Sequence, residues 1–259
     1  MYAFDIERPA TVAEAVKALV GETQAMSGGQ TLIPTLKARL ASPDKLVSLT
    51  SIAEMKGISS SGGVLSIGGA TCHVEVAADG SYKGLSELAG QIGDPAVRNR
   101  GTIGGSIANN DPSACYPAAA LGSGATIVTN SREIAADDFF LGMFETALDE
   151  GEIVTAVKFP IPEKSNYQKF VQPASRFALV GVFVAKTSDG VRVAVTGASN
   201  EGVFRWTEAE EALSANFSAD ALGGLTASAD NLISDLHGSP EYRAHLIKVM
   251  TGRAVSAAS

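Results

Sequence analysis

Residues 102–117, TIGGSIANNDPSACYP, set two adjacent glycines, Gly104 and Gly105, behind a Thr-Ile pair and then run through amides and prolines before the chain turns apolar again. Main chain this bare suits a position that another group must approach closely. The stretch has a counterpart upstream. SGGQT, Ser27 to Thr31, lies between a strand-like run at Thr23–Met26 and the helix-spaced LIPTLKARL, residues 32–40. A strand, a glycine loop and a helix in that order aim backbone amides and a helix N-terminus at one place, making an anion site without a cation. Thr102 and Ser106 add hydroxyls around the second loop. Two such loops in one domain suit a pyrophosphate, whose charge is met by many donors at once.

Not every glycine carries such a role. The 27 glycines in 259 residues include five adjacent pairs, at 28–29, 62–63, 68–69, 104–105 and 223–224. Turn chemistry accounts for a pair taken alone, and Gly62-Gly63 fits it fully as the tip of a hairpin in ISSSGGVLSIGG. No G-x-G-x-x-G follows a strand and no G-x-x-x-x-G-K-[ST] occurs, so neither a Rossmann nor a P-loop nucleotide site is supported.

Outward from these loops, Thr11–Val20 spaces Val12, Ala15, Val16 and Leu19 on one helical face, with Thr11 as N-cap and Gly21 as stop. Val47–Leu49 and ATIVT (125–129) read as strands, and CHVEVAAD (72–79) and LSELAGQI (85–92) as short helices. DDFFLGMFET (137–146) reads as a loop with a helical turn, and EIVTAVKFPIP (152–162) as a strand closed by prolines. Beyond Pro162 the texture changes. ALVGVFVAKTSDGVRVAVTGA (178–198) gives two strands around Asp189-Gly190, followed by helices expected at 207–213, 220–233 and 239–253 and a frayed AVSAAS ending.

The composition narrows the classes. With 45% hydrophobic residues the chain can bury a large core. Twenty Lys and Arg against 28 Asp and Glu leave a net charge of -8, which argues against nucleic acid. Two cysteines, Cys72 and Cys115, are too few for an iron-sulfur cluster, which usually takes four thiolates. His73 beside Cys72 invites a metal reading, yet no other Cys or His lies at ligand spacing, so no metal site is expected. Cys115 reads as a buried structural thiol, and Glu208, Glu210 and Glu211 as a solvated helix face. Arg98 and Arg100 flank the second loop and can either neutralise a phosphate or pair with Asp94. The charged start and the short apolar run at Phe177 fit neither a signal peptide nor membrane insertion and point to a cytoplasmic protein.

Five segments in order, residues 27–49, 67–77, 93–121, 151–160 and 169–185, resemble the FAD-binding subunit of molybdenum hydroxylases, above all the medium subunit of carbon monoxide dehydrogenase-type enzymes, relatives of xanthine dehydrogenase. The resemblance spans nearly the whole chain. It implies an α+β fold: an N-terminal FAD-binding domain (PCMH-type) over residues 1–162, made of two α/β subdomains at about 1–53 and 54–162, and a C-terminal antiparallel-sheet and helix domain over 163–259. It places Ser27, Gly28, Gly29, Gln30 and Thr31 on one side of the FAD pyrophosphate and Thr102, Ile103, Gly104, Gly105 and Ser106 on the other. Thr71 becomes a flavin contact, Ile153 and Val154 the strand near the adenine, and Lys169 and Phe177 neighbours of the isoalloxazine ring. Ser106 stands where the family usually has Asn. Cys115 stands where it usually has an Asp that bonds a cofactor hydroxyl, so weaker FAD binding is expected.

The function implied is that of an electron relay with no proton-transfer catalyst of its own. A large partner subunit with a molybdenum cofactor transforms the substrate, and a small partner with two [2Fe-2S] clusters passes electrons to FAD here and on to an external acceptor, in a dimer of heterotrimers. Two alternatives stand beside it. One is a stand-alone flavin oxidoreductase of the same superfamily, against which Gln30 occupies the place where covalent members often carry a His. The other is a structural subunit that has lost FAD, suggested by Ser106 and Cys115.

Overall fold

A computed structural model describes all 259 residues. The opening segment alternates strand and helix: β1 (Asp5–Glu7), α1 (Val12–Ala18), β2 (Thr23–Met26), α2 (Leu32–Lys37) and β3 (Lys45–Ser48). The strands form a parallel sheet in the order β1-β3-β2, with Val47 and Leu46 of the central strand fully buried. Thr11 caps α1 by accepting from the Glu14 amide at 3.2 Å, and the Glu14 carboxylate accepts from the Ala10 amide in return.

The middle segment opens with the hairpin β4 (Ile58–Ser61) and β5 (Val64–Gly68), whose tip glycines 62 and 63 both take positive φ. Five helices follow: α3 (His73–Asp79), α4 (Lys83–Gly90), α5 (Pro95–Arg98), α6 (Ile103–Asn109) and α7 (Tyr116–Ser123). After β6 (Thr126–Thr129), β7 (Glu133–Ala135) and α8 (Ala136–Phe139) comes a small hairpin, β8 (Phe140–Gly142) and β9 (Glu145–Thr146), and then β10 (Val154–Pro160). The main sheet here is antiparallel, in the order β4-β5-β10-β6-β7.

The last segment is a four-stranded antiparallel meander of β11 (Lys164–Val171), β12 (Ala178–Thr187), β13 (Gly190–Ser199) and β14 (Gly202–Arg205), followed by α9 (Thr207–Ala215) and α10 (Pro240–Ala257). Residues 178–185 of β12 are buried on both faces, because α7 packs on one side of the sheet and α10 on the other. An unbroken apolar run is what such a doubly covered strand requires. No helix is long and apolar enough to cross a membrane.

Several expectations change here. The stretch at 220–233 forms only a single 3-10 turn at Ala219–Leu222, since Gly223 and Gly224 weaken any longer helix. AVSAAS is not frayed: α10 runs to Ala257, held by buried Ala254 and Val255 and by the Lys83 ammonium donating to the Ser259 hydroxyl at 2.7 Å. DDFFLGMFET makes a four-residue helix and then a hairpin rather than a loop and a turn. Glu210 leaves the expected solvated face. It is buried, accepts from the Val193 amide at 2.9 Å and pairs with Arg205.

The cores interlock. Leu65, Ile67 and Phe159 from the middle sheet share one apolar cluster with Tyr167, Phe183, Ala185 and Ala194 from beyond Pro162. A second core fills the space between the C-terminal sheet and helices α9 and α10. A third, smaller one joins Ala15, Val47 and Ile52 to Ala70 and Ile153.

Candidate cofactor cleft

The three sheets meet around a cleft of about 620 Å³, within the usual size of a small-molecule or cofactor site. One wall is the turn between β2 and α2. Gly28 sits there against the main chain of Arg100 and Gly101, and any side chain would overlap the Arg100 carbonyl. Gly29 follows at φ +70°, a left-handed conformation that glycine adopts without strain. The amides of Gly28, Gly29, Gln30 and Thr31 donate to no acceptor within the chain. Thr31 gives α2 no side-chain cap; within its first turn the Ile33 amide donates to the Gly29 carbonyl at 3.0 Å. The Gln30 amide group folds back onto the Gly28 carbonyl at 3.1 Å and stiffens the turn.

The facing wall is α6. Thr102 caps it, accepting from the Gly105 amide at 3.3 Å while donating to the Ser27 hydroxyl at 2.8 Å. The second glycine pair therefore begins a helix instead of forming an open loop. Its amides are also in use: Ile103 donates to the Thr71 carbonyl and Gly104 to the Gly69 carbonyl at 2.9 Å. A Cβ on Gly104 would lie 2.6 Å from that same carbonyl oxygen, and Gly69 is pressed in turn against the Val154 carbonyl. Gly104 thus lets α6 seat directly on the main chain below it. Gly105 is the exposed member and faces the cleft.

The remaining residues singled out from the sequence fall into two groups. Gln30, Thr31, Ser106, Cys115, Ile153, Val154, Lys169 and Phe177 line the cleft together with both loops. Thr71 and Ile103 do not. The Thr71 hydroxyl is fully buried, bonded to the Gly57 amide and carbonyl, and the Ile103 side chain lies in the main core. The Ile153 main chain is consumed by Asn130, whose side chain accepts from its amide at 2.7 Å and whose own amide donates to its carbonyl. Arg98 neither faces the cleft nor pairs with Asp94; its guanidinium donates to the Ile92 and Gly93 carbonyls.

Several cleft residues make contacts that the sequence does not show. Lys169 on β11 reaches across to donate to the Gln91 carbonyl at 3.0 Å and to Cys115 Sγ at 3.4 Å, which gives that thiol the cationic neighbour that its local sequence lacks. Asp111 has its carboxyl raised by burial, against a bond from the Ser113 amide. His73 is buried against Tyr116, and burial first, then the charge of Arg98, lowers it to about 4, so it is neutral near pH 7. Glu152 is held well below the ordinary carboxylate range, chiefly by Arg132 and further by Thr129, Ser131 and the Asp149 amide. That network fixes the approach to Ile153. Arg176 lines the cleft from the β11–β12 connection, where it takes φ +62°. Gly69 had a signal, since it belongs to the third glycine pair, but nothing local separates its role from that of a turn.

Four free amides beside a helix start, a cleft of suitable size and a mixed apolar and hydroxyl lining fit a nucleotide with a diphosphate. Comparison with known proteins agrees. The family described as FAD binding domain in molybdopterin dehydrogenase matches residues 2–162. The glyceraldehyde dehydrogenase medium chain of Sulfolobus acidocaldarius is 32% identical, with 97% of this chain and 96% of that protein covered. The carbon monoxide dehydrogenase medium chain of Afipia carboxidovorans is also 32% identical, over 98% and 96%. The solved structure of reconstituted CO dehydrogenase from Oligotropha carboxidovorans superimposes with a TM-score of 0.89 at 30% identity, covering 98% of this chain and 97% of that one.

Proposed function

The chain belongs to the family of FAD-binding domains of molybdopterin dehydrogenases, and on that premise we propose that it is the electron-transfer subunit of a cytoplasmic molybdenum hydroxylase. It receives electrons from the [2Fe-2S] clusters of a small partner and passes them to an external acceptor, while a large partner with the molybdenum cofactor oxidises the substrate. The observation that carries the reading is the junction of the two glycine segments, where the Ser27 and Thr102 hydroxyls meet at 2.8 Å beside four unpaired amides.

Bound FAD supplies the exchange between paired and single electrons; the chain supplies placement and access. Ser27 through Thr31 offer donors to a diphosphate, and the exposed face of Gly105 leaves the approach open. Lys169 and Arg176 bring positive charge to the wall formed by the C-terminal sheet, and Phe177, 46% exposed, offers an aromatic face at its rim. Neutral His73 adds no charge. Ser106 and Cys115 replace stronger hydrogen-bonding groups of the family pattern, so the amide cradle carries a larger share of the binding.

The test is purification of the tagged chain with its co-expressed neighbours, followed by release and assay of flavin and iron. About one FAD per chain together with bound iron is expected from the usual composition of such complexes. A complex with intact clusters and no flavin absorbance would sink the reading.

A further inference from the structure

The hairpin of β8 and β9 serves no purpose within the cleft, yet it is built with care. Its tip carries Leu141, Met143 and Phe144 at 59%, 39% and 57% exposure, three large apolar side chains within four residues. Phe144 takes φ +59°, the left-handed position that a turn of this kind ordinarily gives to glycine or asparagine. A bulky aromatic there strains the backbone. The fold over-determines the conformation: the Phe144 amide donates to the Asn110 carbonyl at 3.0 Å, and the buried Asn110 side chain donates to the Gly142 and Glu145 carbonyls at 2.7 and 2.9 Å. The Gly202 turn packs against the Gly142 main chain from the other side.

Two relationships indicate what the hairpin meets. Asn110 is the C-cap of α6 and lies between Asn109 and Asp111, which both line the cleft, so the tip hangs from the cleft wall itself. Exposed Asp138, Glu145, Asp149, Glu150 and Glu201 belong to this hairpin, its flanking segments and the packed turn, and of these only Asp149 is in an ion pair. An apolar tip with an acidic surround complements an apolar pocket rimmed by lysine or arginine. A rigid tip loses little entropy on docking.

We propose that the 141–144 hairpin tip is the docking element for the cluster-bearing small subunit, which seats it in an apolar pocket with a basic rim. This rests on the functional reading above, because an electron donor has to approach the cleft and the tip is fixed to its wall. The experiment is co-expression of the three subunits with a tag on this chain, comparing wild type, a Leu141→Ser, Phe144→Ser double variant and a Glu145→Lys, Glu150→Lys double variant. Each purified complex is assayed for iron per flavin, for the subunits retained and for the thermal melt of the tagged chain.

Both variants are expected to keep flavin and an unchanged melt while iron per flavin falls about tenfold or more, the scale of losing hot-spot side chains. Unchanged iron per flavin in either variant overturns the docking surface and leaves the flavin reading intact, as does loss of the large subunit with the small one retained. A lowered melt in the serine variant passes the decision to the charge-reversed one, whose substitutions lie on the surface. Wild type isolated without flavin overturns the underlying reading instead.

Discussion

The Thr102 hydroxyl donates to the Ser27 hydroxyl at 2.8 Å across a sequence separation of 75 residues. The same oxygen caps α6, so one side chain both starts that helix and ties it to the β2–α2 turn. Thr102→Val removes both functions and is expected to cost about 1–2 kcal/mol, while Thr102→Ser retains most of them. Urea unfolding with flavin content measured in parallel checks this. A valine variant with wild-type midpoint and full FAD would refute the coupling.

Gly28 and Gly90 make an opposed pair. Gly28→Ala drives a methyl into the Arg100 carbonyl and pushes the two cleft walls apart; a loss of about 1–3 kcal/mol, together with FAD, is expected. Gly90 ends α4 with open space where its Cβ would go. Gly90→Ala is therefore expected to be neutral or to stabilise by up to about 1 kcal/mol. Melting curves check this: the Gly28 variant should melt below wild type and the Gly90 variant at or above it.

His73 makes stability depend on pH. Its folded value lies below its ordinary one, so the unfolded chain binds the extra proton and the stabilisation is full above pH 6.5 and lost as pH falls towards about 4. The interval from 6.5 to about 4, at about 1.36 kcal/mol per pH unit, corresponds to about 3 kcal/mol. Glu152, also held low by its partners, adds loss of the same sign below its ordinary carboxylate value. Urea midpoints at pH 7.5 and 5 should differ in wild type, and His73→Gln should flatten most of that difference.

Cys115→Asp places a carboxylate within reach of the Lys169 ammonium, now 3.4 Å from the sulfur. The added acceptor is worth about 0.5–1.5 kcal/mol, or a gain from about twofold to tenfold in FAD affinity. Titration of the flavin-stripped chain by fluorescence quenching measures it. Weaker binding in the variant would show that the departure at this position is not a deficit.

How far the sequence revealed the fold follows from how local each signal is. The β12–β13 hairpin is plain in the sequence because apolar runs flank Asp189-Gly190, and α1 because cap, stripe and stop lie within the eleven residues from Thr11 to Gly21. The strand, loop and helix around Ser27–Thr31 are local in the same way. The convergence of that turn with Thr102 is not, and it entered through resemblance. What stayed hidden depends on distant partners: Thr71 turned inward by Gly57, Ile153 saturated by Asn130, Glu210 drawn into the core by Val193 and Arg205. The pairing of Gly104 with Gly69 is the clearest instance. Gly104 looked like room for a visitor and Gly69 like a turn, and both serve the contact of backbone on backbone.

The core that joins Phe159 and Leu65 to Tyr167 and Phe183 also determines how a nucleotide gets in. Lys169 and Phe177 stand on one bank and the start of α6 on the other, and one stretch of hydrocarbon lies beneath both. Swinging the banks apart would wet several aromatic rings at once, so their spacing is fixed and a nucleotide comes in past exposed Gly105. Walls held at a set distance lose little freedom when a molecule settles between them.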